Sequence, residues 1–178
     1  MRRKTRKLVL SSVLLALGIV LPFFTGQIKE IGDTLLPMHM PAMICGFTCG
    51  PIFGGITGLL IPLIRSFTFG MPPLYPNAIW MSLELCAYGL TTGLFYLRKK
   101  KRSTLYLYIS LISAMICGRV VWGVAKVILL GLKNKPFTFQ MFIASGFVDA
   151  LPGIIIQLIL IPIILSLIEK PRVSEREF

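Results

Sequence analysis

Apolar runs long enough to cross a membrane recur along the whole chain, separated by short polar or basic segments. A membrane-spanning helix needs about 20 residues that are mostly apolar. The pattern therefore predicts an all-α integral membrane protein, a six-transmembrane-helix bundle that forms a single membrane domain over residues 1–178. The six helices are predicted at about 8–24, 36–50, 51–70, 76–97, 105–132 and 139–168.

A helical hairpin over residues 35–73 is the best-defined part of this pattern. Gly50 followed by Pro51 predicts a very tight turn, because glycine closes one helix and proline fits the first turn of the next. Gly70, followed by Met71-Pro72-Pro73, predicts the end of the second helix of the hairpin. The hairpin also carries two ionisable residues, His39 and Arg65, inside apolar sequence. Ionisable residues within a membrane span indicate a functional site.

Two pairs of small residues have the four-residue spacing that lets one helix approach another closely. They are Gly54 and Gly58 in the third predicted helix, and Ser12 and Ala16 in the first. Each pair predicts close packing, either inside the bundle or against another subunit.

The net charge of +12 is placed in a way that predicts membrane topology rather than a nucleic-acid-binding face. Lys and Arg concentrate at the N-terminus, in the loop Arg98–Arg102 and in the C-terminal tail. With six spans these segments lie on one side, and an excess of Lys and Arg marks the cytoplasmic side. We therefore expect both termini in the cytoplasm, in a multi-pass protein of a bacterial cell membrane. The long first apolar run lacks a cleavage site, so it is expected to be a retained helix rather than a signal peptide.

Signatures of catalysis and metal binding are missing from the sequence. It has a single His, and no zinc-protease motif, glycine-rich phosphate loop or nucleophile elbow. The four cysteines fall in apolar spans, where cysteine commonly behaves as a small buried hydrophobe. We predict that the chain is not an enzyme and needs neither a metal nor a cofactor.

Five charged side chains lie inside predicted spans: Arg65, Glu84, Arg119, Lys126 and Asp149. The helical rise of about 1.5 Å per residue places most of them in the outer half of the membrane. One interpretation is that they only pair with each other, because buried charges need partners. However, three bases face two acids, and a surplus buried base is costly unless an anionic ligand satisfies it. The charges therefore indicate a binding site for a small anion.

Aromatic and amide side chains near these charges extend the candidate site with stacking and hydrogen-bonding groups, although each aromatic residue could equally be a packing or interfacial residue. The predicted substrate-binding residues are His39, Arg65, Tyr75, Asn77, Glu84, Tyr88, Arg119, Trp122, Lys126, Gln140 and Asp149.

The hairpin resembles a known family. The residues that carry the resemblance are Leu36-Pro37-Met38-His39-Met40-Pro41, Cys45-Gly46-Phe47, Cys49-Gly50-Pro51, Gly58, Pro62, Arg65 and Phe69-Gly70-Met71-Pro72-Pro73. They are similar to the substrate-binding S components of energy-coupling factor (ECF) vitamin transporters, with the pantothenate-type branch the most similar. Outside the hairpin the resemblance is mainly one of topology.

The resemblance implies a small bundle that captures a vitamin at its outer side. Such a bundle docks in the lipid membrane on a transmembrane coupling subunit, which two cytoplasmic ATPase subunits drive. Family members dock through an A-x-x-x-A motif on the first helix. The matching positions here are Ser12 and Ala16, which depart from the motif in one residue.

Alternatives remain open from the sequence. The ligand could be another vitamin or precursor, such as hydroxymethylpyrimidine, pyridoxine, folate or a queuosine precursor. The chain could instead be a stand-alone secondary carrier or channel, although it shows no internal repeat of the kind common in secondary transporters. A membrane enzyme acting on lipids or isoprenoids is a further alternative, which lacks support from an acid cluster or a metal-ligand set.

Overall fold

The computed structural model describes residues 3–25, 34–97, 104–134 and 136–174, and within these ranges the chain is helical without β-strands. Two segments between predicted helices lie outside the described residues: the loop Arg98–Arg102 and most of the polar segment Thr25–Thr34. The described α-helices are α1 (Arg3–Val20), α2 (His39–Cys49), α3 (Pro51–Phe69), α4 (Ile79–Leu97), α5 (Thr104–Gly131), α6 (Phe139–Ile143) and α7 (Leu151–Ser174). A 3-10 turn, Leu21–Thr25, continues α1, and two π-turns, Leu74–Ala78 and Ala144–Val148, precede α4 and α7.

Five segments of the described chain are helical, long and apolar enough to cross a membrane: Lys4–Phe24, Pro51–Phe69, Leu74–Tyr96, Thr104–Gly131 and Leu151–Ile168. The helix predicted at 36–50 is shorter than expected, because α2 begins only at His39. Its 11 residues cover about 16 Å, roughly half the thickness of a hydrocarbon core. The described residues thus form five long apolar helices together with two short ones, α2 and α6.

The segment predicted as one helix at 139–168 is divided in the structure. α6 ends at Ile143, a π-turn follows, and α7 begins at Leu151. Pro152 in the first turn of α7 has no N–H to donate to the carbonyl of Val148 four residues earlier, which disfavours a continuous helix here. Hydropathy alone does not show this break, because the residues on both sides of it are apolar.

The turn between α2 and α3 has the conformation that its residues require. Gly50 has a φ of +106°, which strains any other residue, and it donates its N–H to the Gly46 carbonyl at 3.1 Å. Pro51 is the first residue of α3. At the other end of α3, Gly70 has a φ of +69° and closes the helix. Both predicted boundaries are confirmed.

Glycines bring α2, α3 and α4 into direct backbone contact. A Cβ atom added at Gly54 would lie 2.6 Å from Gly46 Cα and 2.6 Å from the Gly89 carbonyl oxygen. A Cβ atom added at Gly58 would collide with the Leu85 carbonyl. The close packing predicted from the Gly54–Gly58 spacing is therefore present inside the bundle.

The short helix α2 lies in the middle of the bundle, and almost all of its residues are buried. α1, α3, α4 and α7 all pack against it, while α4 also packs on α3 and α5. At the N-terminal end of α2, Leu36, Pro37, Met38 and His39 form one wall of a cavity.

Candidate functional site

A cavity of about 320 Å³ lies at the end of the bundle where α2 begins. This volume is within the range of about 300–1,000 Å³ that is usual for small-molecule sites. Its walls come from the 3-10 turn after α1, from α2 to α5, from the proline-rich connection before α4, and from the segment between α6 and α7. Eight of the predicted substrate-binding residues line it: His39, Arg65, Asn77, Glu84, Arg119, Trp122, Lys126 and Asp149.

Glu84 organises one wall of the cavity. Arg119 Nη1 donates a hydrogen bond to Glu84 Oε1 at 2.8 Å. His39 Nε2 lies 3.5 Å from the same oxygen, within the range of an ion pair but without a hydrogen bond. Glu84 and His39 are each 2 % exposed, and Arg119 is 3 % exposed. Since Arg119 Nε and Nη2 have no hydrogen-bond partner among the described residues, the pair leaves buried donors beside the cavity.

Arg65 reaches the cavity from the last turns of α3, and it is also 2 % exposed. Its Nη1 donates to the carbonyl of Ile19 in α1. The guanidinium carbon lies 5.1 Å from the ring centroid of Phe23 and 5.6 Å from that of Phe69, positions in which an aromatic face attracts a cation. Arg65 Nε has no hydrogen-bond partner within the described ranges.

Lys126 lies among aromatic rings at the cavity wall. Its Nζ is 4.1 Å from the ring centroid of Trp122, 5.1 Å from that of Trp80 and 5.3 Å from that of Phe137. These rings stabilise the ammonium through cation–π interactions and position it at the cavity.

The cavity gathers all five charged residues that the sequence singled out. Three bases (Arg65, Arg119 and Lys126) and two acids (Glu84 and Asp149) line it, so the described lining carries one surplus positive charge. Asp149 differs from the prediction in one respect. It is exposed, because it lies in the break before α7 rather than inside a continuous helix.

Both irregular turns supply cavity residues. Asn77 belongs to the turn before α4, and Ser145 belongs to the turn between α6 and α7. Asp149 closes the second turn by donating its backbone N–H to the Ala144 carbonyl at 2.9 Å. The first of these segments is a kink with an extended residue, Tyr75, whereas the second is a π-turn of the kind that frequently occurs at functional sites.

Three predicted site residues lie outside the cavity lining. Tyr75 has an extended backbone, so its exposed side chain turns away and its hydroxyl donates to the Leu129 carbonyl at 3.4 Å. Tyr88 is buried one helical turn below Glu84, where its ring packs edge-on against His39 with centroids 5.2 Å apart. Gln140 is exposed on α6, before the π-turn that directs the following residues to the cavity.

Trp80 and Ser145 also line the cavity, although they are not among the residues predicted from the sequence. A signal was present for both of them. Asn77, Trp80 and Glu84 are spaced three and four residues apart, which places them on one face of a helix. Ser145 precedes the predicted Asp149 by four residues in the same way.

The model of the family described as ECF transporter, substrate-specific component, matches residues 6–165, which is most of the chain. The protein belongs to this family. It is therefore a multi-pass membrane protein and the substrate-binding subunit of an ECF transporter. Members of this family bind a small-molecule substrate and associate with an ECF module. No curated protein and no solved structure matches the chain.

The two residues predicted to form the docking surface of this S component lie on the outside of the bundle. Ser12 and Ala16 are both exposed on α1. The Ser12 hydroxyl donates to the Leu8 carbonyl of its own helix at 2.9 Å, so it needs no further donor or acceptor from a neighbour. The strip is thus a small and locally satisfied surface.

Proposed function

We propose that this S component captures a small monoanionic vitamin, and that pantothenate is its substrate. The observation that carries the proposal is the surplus positive charge of the cavity lining, together with three buried donors that have no hydrogen-bond partner among the described residues: Arg65 Nε, Arg119 Nε and Arg119 Nη2. Buried guanidinium N–H groups without an acceptor cost free energy. A carboxylate in the cavity satisfies them, because it accepts two parallel hydrogen bonds from one guanidinium.

The N-terminal end of α2 supports the same charge preference. Residues 36–39, which include the first residue of this helix, line the cavity. The N-terminus of a helix carries a partial positive charge, equivalent to about half an elementary charge. A negative group in the cavity therefore gains from the helix as well as from the two arginines.

Pantothenate also matches the remaining chemistry of the lining. Its amide and hydroxyl groups can pair with Asn77 and Ser145, and its methyl groups can pack on Trp80, Met81 and Trp122. A neutral or cationic vitamin, such as a hydroxymethylpyrimidine or pyridoxine, leaves the surplus base unpaired. The charge thus favours pantothenate over those alternatives.

We place the cavity on the outer side of a bacterial cell membrane, with both termini of the six-helix domain in the cytoplasm. Pro22, after the C-terminal end of α1, lines the cavity, so the basic start of α1 is at the opposite end of that helix. Lys4, Arg6 and Lys7 all lie in this start and mark the cytoplasmic side.

We further propose that Ser12 and Ala16 contact a transmembrane coupling subunit, which two cytoplasmic ATPase subunits drive. The double substitution Ser12→Trp/Ala16→Trp should abolish uptake and leave ligand binding to the isolated protein intact. Val120→Trp/Val124→Trp is the matched control, because it has the same spacing on another exposed helix face. Uptake that survives the first pair of substitutions contradicts this docking role, and uptake without the ATPase subunits favours a stand-alone carrier instead.

The substrate can be identified directly from the purified protein. After denaturation, mass spectrometry of the released small molecules should recover a monoanionic carboxylic acid, pantothenate, in a constant ratio to protein. The amount of pantothenate recovered per protein should fall for Arg119→Lys. A lysine ammonium is a point charge and cannot donate the two parallel hydrogen bonds that a guanidinium gives a carboxylate. Recovery of a neutral or cationic vitamin from the wild-type protein contradicts the proposal.

A further inference from the structure

The last turn of α1 contains a carbonyl that accepts a hydrogen bond from a side chain of another helix. The Ile19 carbonyl accepts from Arg65 Nη1, which comes from α3. After Val20 the chain continues as a 3-10 turn, Leu21–Thr25. In such a turn a carbonyl accepts a hydrogen bond from the residue three positions later. For Ile19 that residue is Pro22, which has no N–H to donate.

Two aromatic rings hold the Arg65 guanidinium in place at this carbonyl. Phe23 belongs to the 3-10 turn and Phe69 is the last residue of α3. Their ring centroids are 5.0 Å apart in an edge-to-face arrangement at 87°, and both rings lie within 5.6 Å of the guanidinium carbon. A cation at the C-terminal end of a helix also interacts favourably with the helix dipole. Arg65 thus joins the end of α3 to the end of α1.

The Arg65 side chain is shared between this carbonyl and the cavity. Arg65 and Pro22 both line the cavity, and Arg65 Nε has no hydrogen-bond partner in the described part of the chain. Arginine carries its five N–H donors in a rigid planar fork. A bond on one edge of the fork therefore restrains the orientation of the other edge, which a flexible lysine ammonium does not do.

We infer that Arg65 is a positioning residue that transmits occupancy of the cavity to the end of α1. An anion in the cavity that binds this guanidinium restrains its plane, and Nη1 then holds the Ile19 carbonyl and orders the turn Leu21–Thr25. This inference rests on the proposed function, because it requires an anionic ligand. It adds a connection between the cavity and α1 that the binding role of Arg65 does not by itself require.

Hydrogen exchange with mass spectrometry tests the connection on the full-length purified protein. Saturating pantothenate should slow exchange of the backbone amides in residues 20–25 about tenfold, the scale of one charge-assisted hydrogen bond. Arg65→Lys should abolish this protection. Arg119→Lys is the matched control, since it also removes a cavity guanidinium. Once saturated, it should retain protection at residues 20–25, because Arg119 has its hydrogen bond to Glu84 and not to α1.

A comparison within the wild-type protein needs no variant to fold. Panthenol, the uncharged alcohol analogue of pantothenate, should leave exchange at residues 20–25 unchanged even at a concentration that protects residues 119–126 of the cavity wall. If pantothenate binds and protects residues 119–126 but leaves residues 20–25 unchanged, the inference is wrong and the proposed function stands. The inference is also wrong if pantothenate and panthenol protect residues 20–25 equally. It is likewise wrong if pantothenate protects these residues equally in the wild type and in Arg65→Lys. Absence of pantothenate binding to the wild type, measured by calorimetry, overturns both.

Discussion

The two sides of the cavity are built by different kinds of packing. On one side α2, α3 and α4 meet through glycine backbones, as at Gly54 and Gly89, where no side chain can move aside. On the other side α5 meets α6 and the residues just before it through aromatic rings. Trp122 lies at a centroid distance of 5.9 Å from Phe142 in α6 and from Phe137 before it. All residues of α6 are exposed or half-buried.

We call the first of these two sides the glycine side, which backbone contacts fix, and the second the aromatic side, which side-chain rings hold. The glycine side carries Glu84, His39 and Arg65, which need stable geometry because their charges and donors are buried. The aromatic side carries Ser145 and Asp149, which follow α6 in the chain. Substitutions on the two sides should therefore have unequal effects, even when the chemical change is the same.

The largest effect on stability should come from removing a carboxylate on the glycine side. Glu84→Gln leaves the buried Arg119 without its counter-charge, and breaking a buried pair costs about 3–5 kcal/mol. Asp149→Asn makes the same chemical change on the aromatic side, where the carboxylate is exposed. Thermal unfolding in detergent should show a large drop in midpoint for the first variant and little change for the second. Similar drops for both would contradict the comparison.

A methyl group added to glycine should give the next largest effect. In Gly89→Ala the new Cβ meets the backbone of Gly54, so helices must separate, at a cost of about 1–3 kcal/mol. In Gly123→Ala the new Cβ meets the Phe142 ring at 2.5 Å, and a ring can turn aside. The free energy of unfolding should therefore fall more for Gly89→Ala. Gly131→Ala, which meets nothing within 4 Å, is the control for the methyl group itself.

The smallest effect on global unfolding should follow from weakening the aromatic side, because the segment 139–148 can open locally while the rest of the bundle stays folded. Phe142→Leu removes its ring contacts with Trp122, Phe139 and Phe147. Hydrogen exchange should accelerate in residues 139–148 while α2 to α4 stay protected. Phe67→Leu, at a ring that is 75 % exposed, should leave both regions unchanged. Acceleration spread over the whole bundle would mean that the two sides are not separable.

The structure of the glycine side was also easier to predict from the sequence than that of the aromatic side. Gly50-Pro51 and Gly70 identify the ends of α3, because few other residues adopt the backbone angles that those positions have. Isolated charges such as Arg65 and Glu84 stand out in apolar sequence for a physical reason, the cost of placing them in lipid. The sequence therefore predicted all five charged residues of the described cavity lining.

Features that depend on how helices rotate against each other were not predictable in the same way. The count of charges predicts a surplus base, but it cannot show that Arg119 bonds Glu84 while Arg65 bonds the Ile19 carbonyl. The break between α6 and α7 is hidden because apolar composition continues through it. Tyr75 and Trp80 are both aromatic residues near the start of α4, and only the turn geometry decides which one lines the cavity.

The central claim, that the cavity recognises a negative charge, is tested most directly by a pair of ligands that differ only in that charge. Calorimetric titration of the purified wild-type protein should give a dissociation constant for pantothenate at least tenfold lower than for panthenol. A charge-assisted hydrogen bond contributes about 1.5–3 kcal/mol, and about 1.4 kcal/mol corresponds to a factor of ten in affinity. Equal affinity for the acid and the alcohol would contradict the anion-binding account and the assignment of pantothenate with it.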